Sequence, residues 1–484
     1  MRTDASTVAP SPERGARRAM IVTTNFPPDA SVGTLRTLRL VRHLAEAGWR
    51  VDVITAAPER FRAGTVIDMA LLEKVPRGVE VSRARAWRPV ERLGTAIRRT
   101  LRGGGGRSPA GAPSTTGDGR QGRVAGGWLR QMTRATSAAM SLPDREVSWL
   151  LPAVAAGWRH VRRHRPDVLY SSGPPFTAHF VAAVLARLSR RPWVADFRDP
   201  WARAPWRHDR FAFERKAWSV LERRVVTRAN AVLFVAEMNR MEFARHYGDA
   251  LASRFHVVPN GCEPGDFDGL ARRQPASADP FVLLHAGSLY GARNPAALLT
   301  ALERAIRRGS IDRTRIRLRF IGRVGVPGVS LPHVARELGL DDVVEFADHV
   351  PRRAVLQEML DASALLIVQP VTTVSVPAKL YEYMAAGRPV LALAEADGET
   401  AMLVRQHGAG LVVPPDDEDA IERALVALVA GSGQFVPVDR ARYDGALRAR
   451  EIGQILSDVA DDPVGASHAV RAAGSSAPTE VTRS

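Results

Sequence analysis

The chain has 484 residues, of which 45% are hydrophobic and 25% charged. That length implies two or three domains, and that balance excludes a mostly disordered or fibrous chain. Cys262 is the only cysteine, which excludes a disulfide scaffold. The formal net charge is +17, nearly all of it arginine. Such a charge attracts nucleic acid, anionic lipid or phosphorylated substrates without distinguishing them, and a genomic bias toward Arg and Ala codons produces it with no partner at all. No stretch approaches the roughly 18 apolar residues that span a bilayer. The first 18 residues, with Asp4, Pro10, Pro12 and Glu13, lack the apolar core of a signal peptide. The expected location is the cytoplasm, with the membrane surface as an alternative.

In chain order, residues 1–18 read as a disordered arm. Ala19–Thr24 reads as a short buried-type strand, followed by a Pro- and Asp-rich loop. A helix is predicted from Gly33, with Leu35, Leu38, Val41 and Leu44 every third residue and Gly48 closing it. Trp49–Thr55 is the next strand, so a right-handed parallel crossover is expected. The pattern breaks at about 92–145, where Gly103–Gly106 and ten arginines against two aspartates form a basic, Gly-rich insertion. Within it, Trp128, Leu129, Met132 and Met140 suggest a short amphipathic helix.

The alternation resumes with a strand at Asp167–Tyr170, a loop at Ser171–Pro175, a helix to about 189, and a strand at Trp193–Phe197. A long helix at about 209–228 and strands at Ala231–Val235 and Phe255–Val258 follow, then the turn Pro259-Asn-Gly261. A second set of elements starts at Phe281–His285. It continues with a helix at 295–308, strands at Arg317–Ile321, near 343–346 and at 364–368, and a helix at 378–386. Strands at Pro389–Leu393 and Gly410–Val413 complete it. Two alternating halves imply two doubly wound α/β domains. A last helix is expected at about 437–458, and a polar tail from about 461.

Four places could carry chemistry. Gly33 lies where the first strand feeds a helix, so a ligand could approach the backbone there; a plain tight turn is the alternative. Gly287-Ser288-Leu-Tyr-Gly-Ala-Arg293 is a glycine-lined loop at a helix start with a guanidinium beside it. It is neither a Walker loop nor a dinucleotide fingerprint, and it suits a nucleotide diphosphate; a surface arginine is the alternative. In Val376-Pro-Ala-Lys-Leu-Tyr-Glu-Tyr-Met384, Lys379 and Glu382 share one helix face. A cation in a first turn opposes the helix dipole, which an anionic ligand would explain, and Glu382 could accept both hydroxyls of a ribose. An exposed Lys–Glu pair is the plain reading. Asp196, Arg198 and Asp199 end a strand of the first half and are expected at the crevice, although an Arg–Asp pair could simply order that loop.

The histidines offer no convincing metal set. His160 and His164 share a helix face but lack the glutamate of a metalloprotease motif and sit among Arg159, Arg162, Arg163 and Arg165. His179 reads as structural. Asp266-x-Asp268 and Asp417-x-Asp419 read as structural too, the second as the acidic first turn of a helix. Gly322-Arg323 and His349-Val350 either meet a nucleobase or turn the chain.

Taken together, Pro259-Asn-Gly261, Gly287–Arg293, Phe320-Ile-Gly-Arg323 and Lys379-Leu-Tyr-Glu-Tyr-Met-Ala-Ala-Gly-Arg-Pro-Val390 resemble the retaining glycosyltransferases of the GT-B fold, family four. The similarity covers about 19–458 outside the insertion. It implies two Rossmann-like doubly wound parallel-sheet domains facing a cleft: 19–262 on the acceptor side and 263–436 binding a nucleotide sugar. The helix at 437–460 would return to the first domain, before the tail 461–484. It implies an intracellular, metal-independent enzyme that needs no cofactor beyond its nucleotide-sugar donor.

By that resemblance Glu382 holds the ribose, with Leu380 beside it, and Lys379 and Arg293 neutralise the diphosphate. Gly33, Gly287 and Ser288 admit the phosphates, Gly322, Arg323 and Val350 border the base, and Arg198 and Asp199 stand at the catalytic edge. The chain departs from the family at Val374, where many members carry a second glutamate, and at Arg198-Asp199, where a histidine is usual. Ser288 also replaces the arginine that often follows the loop's first glycine. These departures suit a subgroup building surface polysaccharide or lipid-linked oligosaccharide. The insertion and Trp128 would then bring the enzyme to an anionic membrane carrying a lipid-linked acceptor. The rivals are a non-catalytic nucleotide-sugar-binding subunit and a nucleic-acid binder. The second lacks helix–turn–helix or zinc-finger spacing.

Overall fold

The computed structural model describes residues 16–60, 65–85, 138–205, 211–274, 276, 279–348 and 350–462. Among the described residues the first sheet has seven strands: β1 (Arg18–Val22), β2 (Arg50–Ala56), β3 (Glu80–Ala84), β4 (Val168–Gly173), β5 (Trp193–Phe197), β6 (Ala231–Phe234) and β7 (Phe255–Val257). Their order is β3-β2-β1-β4-β5-β6-β7, and every pairing is parallel. Central strands such as Val168–Gly173 are buried throughout, as expected when helices cover both faces.

The second sheet contains β8 (Phe281–Ala286), β10 (Ile316–Ile321), β12 (Val344–Ala347), β13 (Ala364–Gln369), β14 (Val390–Ala394) and β15 (Gly410–Val413). Its order is β12-β10-β8-β13-β14-β15, again parallel. A two-stranded ribbon, β9 (Leu289–Tyr290) with β11 (Val324–Gly325), ties the loop after β8 to the loop after β10. Strand order reverses between β1 and β4 in one sheet and between β8 and β13 in the other. Those switch points open crevices at the strands' carboxyl ends.

The helix Val32–Glu46 buries Leu38, Val41 and Leu44, as its three-residue spacing predicts. Its partner is the last helix, Gly445–Asp461, which packs Ile452, Leu456 and Val459 into the same cluster. The backbone at Gly445 and Gly453 comes so close to the first helix that a Cβ would lie 2.6 Å from Arg39 Nε and 2.9 Å from His43 Cδ2, respectively. This last helix starts later than the expected residue 437. Asp439 first caps a short 3-10 turn, Arg440–Tyr443, and Asp444 then caps the helix by accepting from Ala446 N. The chain is also clasped at the crossing, where Cys262 N donates to Tyr443 O and Gly445 N donates to Cys262 O.

A second clasp joins the two halves. The Glu399 carboxylate, on the helix Glu399–Gln406, accepts from the N–H groups of Glu237 (2.7 Å) and Met238 (2.6 Å). These groups open the helix Glu237–Tyr247, so a buried carboxylate caps a helix of the other half.

Other differences from the expected elements are local. Ser171–Gly173, expected as loop, continues β4, because Ser171 and Ser172 find buried hydrogen-bond partners. The short strand β3 and the helices Glu237–Tyr247, Arg352–Asp361 and Glu399–Gln406 were not anticipated. The amphipathic stretch around Trp128, and nearly all of the arm and the tail, lie outside the described residues.

Candidate functional site

The strongest constellation sits at the switch point of the second sheet. The helix Lys379–Ala386 buries Leu380, Tyr381, Tyr383, Met384, Ala385 and Ala386, leaving Lys379 and Glu382 on its remaining face. It stops at Gly387, whose φ of 66° needs a residue without Cβ. Tyr383 pins the helix to the end of β8: its hydroxyl accepts from Ala286 N at 2.8 Å and donates to Ala286 O at 3.2 Å. One turn earlier, this anchoring sets Lys379 beside the loop after β8.

Lys379 Nζ donates to His285 Nε2 at 3.0 Å. The acceptor role of that nitrogen is fixed because His285 Nδ1 donates to Leu366 O at 2.9 Å. A Cβ on Gly287 would lie 2.8 Å from Nζ, and Gly287 has a φ of 122°, so only glycine fits there. Gly322, with φ of 114°, is required likewise, since a Cβ would lie 2.8 Å from Gly287 C. Arg293 Nε donates to Gln369 Oε1 at 3.2 Å, and its guanidinium lies over the Tyr290 ring at 4.7 Å. Gln369 in turn donates to Ser375 Oγ at 3.0 Å.

Two cations therefore converge at the end of the β8–β13 pair, and among the described residues no carboxylate is hydrogen-bonded to either. Burial and the neighbouring Arg293 charge lower the Lys379 pKa to about 7. Burial and the Lys379 charge hold His285 well below its ordinary value, hence neutral. Asp199 and Glu382 act on this pair only at a distance, so it keeps a preference for an anion.

Glu382, one turn on, is gripped by Arg352, whose Nη2 lies 3.0 Å from Glu382 Oε1 and 2.6 Å from Asp266 Oδ2. Burial works against the Arg352 charge, but the two carboxylates outweigh it and raise its pKa. One Glu382 oxygen is thus positioned, and the other has no hydrogen-bond partner among the described residues. Ser288 and Arg323 are exposed on the loops that the small ribbon joins, and Val350 is half-buried nearby in sequence to Arg352. His349 lies outside the described residues.

Two expectations are corrected here. Leu380 turns a fully buried side chain into the core, and its N–H donates to Pro377 O at 2.9 Å, so it has nothing left for a ligand. Asp196 does not face the crevice. It is buried, accepting from Arg36 Nε and Nη2 at 2.9 Å each, from Tyr170 Oη at 2.6 Å and from Ser172 Oγ at 3.0 Å. The Arg198 guanidinium, the far end of a flexible side chain, lies against Gly33 and fills the space that a Cβ would take. Arg198 also spends donors on Pro174 O, on Gly173 O (3.4 Å) and on Asn25 Oδ1 (3.2 Å), so it orders the loops after β1, β4 and β5.

Asp199 remains at the cleft. Burial raises its pKa, opposed by the charges of Arg198 and of Arg293 from the other half. His179 is a core residue: its Nδ1 pairs with Ser171 Oγ at 2.8 Å, its ring stacks on Phe197, and burial lowers its pKa to about 3.

Residues 33–261 match the family model described as glycosyl transferase 4-like domain, and residues 280–431 match the model described as glycosyl transferases group 1. The two matches together take in most of the chain, one per sheet. The chain belongs to the GT-B glycosyltransferases related to family four.

Similar structures agree on that fold. The sucrose-phosphate synthase of Thermosynechococcus elongatus has a TM-score of 0.60 at 16% identity, over 92% of this chain and 99% of its own. Anabaena Alr3699/HepE, solved in complex with UDP-glucose, has a TM-score of 0.55 at 15% identity, over 91% of this chain and 99% of its own. A D-inositol 3-phosphate glycosyltransferase of Kribbella flavida is 28% identical over 234 residues, which is 46% of this chain and 54% of that protein. The match thus spans about half the length of that curated relative.

In this GT-B glycosyltransferase the paired cations and Glu382 all lie within the second family match, on the second sheet. His285, Gln369 and Arg352 support them and were missed in the sequence. The one available signal was a histidine and a glutamine inside the otherwise apolar strands Phe281–Ala286 and Ala364–Gln369. Among the described residues, no helix is long and apolar enough to cross a membrane.

Proposed function

We propose that the enzyme transfers a sugar from a nucleotide-diphosphate sugar held at the β8–β13 switch point to a lipid-linked or polysaccharide acceptor of the cell envelope or an exopolysaccharide. The observation that carries this reading is the convergence of Lys379 and Arg293 on one side of Glu382. The two cations would neutralise the diphosphate and stabilise the leaving nucleotide as charge develops, work that a metal ion does in other sites. That charge supply supports a metal-independent reaction. Retention of configuration follows from the family resemblance alone. The complex of the Anabaena protein with UDP-glucose supports a nucleotide-sugar donor. The Kribbella relative is named for glycosyl transfer to D-inositol 3-phosphate, which supports a sugar acceptor bearing hydroxyl groups and, as a rival to the lipid-linked one, a small phosphorylated acceptor. The strong positive charge suits a peripheral site on an anionic membrane face.

Glu382 would accept the ribose hydroxyls through the oxygen that Arg352 does not hold. Hydrogen bonds to a charged group contribute about 1.5–3 kcal/mol. Glu382→Ala is therefore expected to weaken nucleoside diphosphate binding by about 10- to 150-fold, and 2′-deoxy analogues should lose less. Isothermal titration of both ligands with both proteins checks this. Equal losses for the two sugars would remove the ribose contact.

The pH dependence has a defined sign. In the empty site Lys379 gives up its proton as pH rises through about 7. A bound diphosphate favours the charged form, so binding takes up a proton above that pH. Affinity should then fall as pH rises, by up to about tenfold per unit. Titrations in buffers of different ionisation enthalpy read the proton uptake directly, and a pH-independent affinity in wild type contradicts it.

A further inference from the structure

The first sheet carries a second cluster of ligand-type side chains, away from the cleft. Asp52 and Glu80 are register partners on β2 and β3, so their side chains share one face. The helix Leu150–His164 crosses that face and brings His160 and His164 over them, one turn apart. One ligand atom from each of the four lies within 4.8 Å of the others. Glu80 opens its strand and Asp52 is third in its own, so the cluster sits toward the amino ends of the strands, opposite the crevice.

Two ring nitrogens aim into this cluster with no hydrogen-bond partner among the described residues: His160 Nδ1 and His164 Nε2. The His164 side chain is only 9% exposed and Asp52 is 1% exposed. Buried polar atoms are normally satisfied, so two orphan nitrogens facing two carboxylates call for an occupant. The spacing suits one. His164 Nε2 lies 3.5 Å from Glu80 Oε2, and His160 Nδ1 lies 3.8 Å from Asp52 Oδ1 and 3.9 Å from Glu80 Oε2. Around a tetrahedral zinc with bonds of about 2.0–2.1 Å, ligand atoms stand roughly 3.4 Å apart, so these three pairs need little change, while the widest of the set, within 4.8 Å, must close by up to about 1.4 Å.

We propose that Asp52, Glu80, His160 and His164 form a binding site for one divalent cation of the zinc class. Two imidazoles favour such an ion over magnesium or calcium, which prefer all-oxygen sets. The site is independent of the donor-site reading, and its position at the far edge of the sheet suits a structural clip joining β2, β3 and the helix Leu150–His164.

Arg18 is the competitor. Its Nη1 donates to Asp52 Oδ1 (3.1 Å) and Oδ2 (3.2 Å) and also contacts His164 Nδ1. While Nδ1 accepts from Arg18, the ring proton sits on Nε2. A cation at Nε2 requires that proton on Nδ1 instead, and two donors cannot stay in contact, so Arg18 must withdraw from the ring. A cavity of about 390 Å³ lined by Arg18, Arg50, Asp52, Arg77 and Glu80 gives it room and gives the ion an entry path.

The test uses the full-length protein, stripped with a chelator and titrated with Co2+. The expected result is the d–d absorption of a tetrahedral site that saturates at one equivalent and is displaced by Zn2+. Glu80→Gln, at a half-exposed position that does not threaten folding, and His164→Gln should each weaken binding by at least about tenfold, while Arg18→Ala should strengthen it. No tetrahedral absorption in wild type, or an unchanged titration in Glu80→Gln and His164→Gln, overturns the proposal.

Discussion

Lys379→Ala is expected to lower kcat/KM for sugar transfer by about 10²–10³-fold, the usual cost of removing one preorganised group that stabilises developing charge. Lys379 is held by His285 on one side and packed against the bare Gly287 backbone on the other, so its charge is aimed rather than mobile. The variant should still fold. Lys379 is a partly buried cation near a second cation, and its removal relieves repulsion while leaving only the neutral His285 Nε2 without a donor. Lys379→Arg should recover only part of the rate, because a guanidinium is too wide for the contact with Gly287. Steady-state kinetics with circular dichroism on the same samples read both effects. Turnover within about twofold of wild type would remove Lys379 from the chemistry.

The largest stability effect belongs to the residue that the sequence misplaced. Asp196→Ala leaves Arg36 buried without its bidentate partner, and breaking one side of a buried pair costs about 3–5 kcal/mol. Arg36 also donates to Pro259 O at 3.0 Å, so the loss reaches the segment that leads out of the first sheet. Urea denaturation should show that loss in the midpoint. A destabilisation under about 1 kcal/mol would mean that Arg36 finds water or another acceptor.

The same pair sets an acid limit. Burial would raise the Asp196 pKa, but the Arg36 charge and the hydrogen bonds from Arg36 and Tyr170 outweigh it and hold it below the ordinary carboxylate value. A depressed folded-state pKa stabilises the fold above about pH 4 and loses that contribution as pH falls further.

What was legible depended on how local each feature is. The Lys379–Glu382 face, the glycines at 287 and 322 and the alternation of strands and helices are written within a few residues of one another. Their periodicity and turn chemistry survive folding unchanged. Asp196, Arg198 and Gly33 could not be assigned that way. Which of two neighbouring acidic or basic groups turns inward depends on a partner more than 150 residues away, Arg36 for Asp196 and Asn25 for Arg198. Arg352, which orients Glu382, and Glu399, which caps a helix of the other half, are long-range for the same reason. The histidine pair His160 and His164 was visible as a helix face, but the carboxylates opposite it come from two other strands.

Val371 was also silent in the sequence. Its φ of 64° is unusual for a β-branched residue, and it follows the β13 switch-point strand, held by the Glu395 carboxylate that accepts from its N–H at 2.9 Å.

The central claim is that a nucleoside diphosphate binds at the β8–β13 edge, between Lys379, Arg293 and Glu382. A thermal-shift panel of the full-length protein with UDP, GDP, dTDP and ADP, repeated with Glu382→Ala and Lys379→Ala, tests it most directly. A nucleotide at about 100 times its dissociation constant adds about 2.7 kcal/mol, a rise of a few degrees. One nucleotide should give that rise in wild type, and in both variants the rise at the same concentration should fall to about half or less. An equal rise in wild type and both variants would place the nucleotide elsewhere and contradict the account.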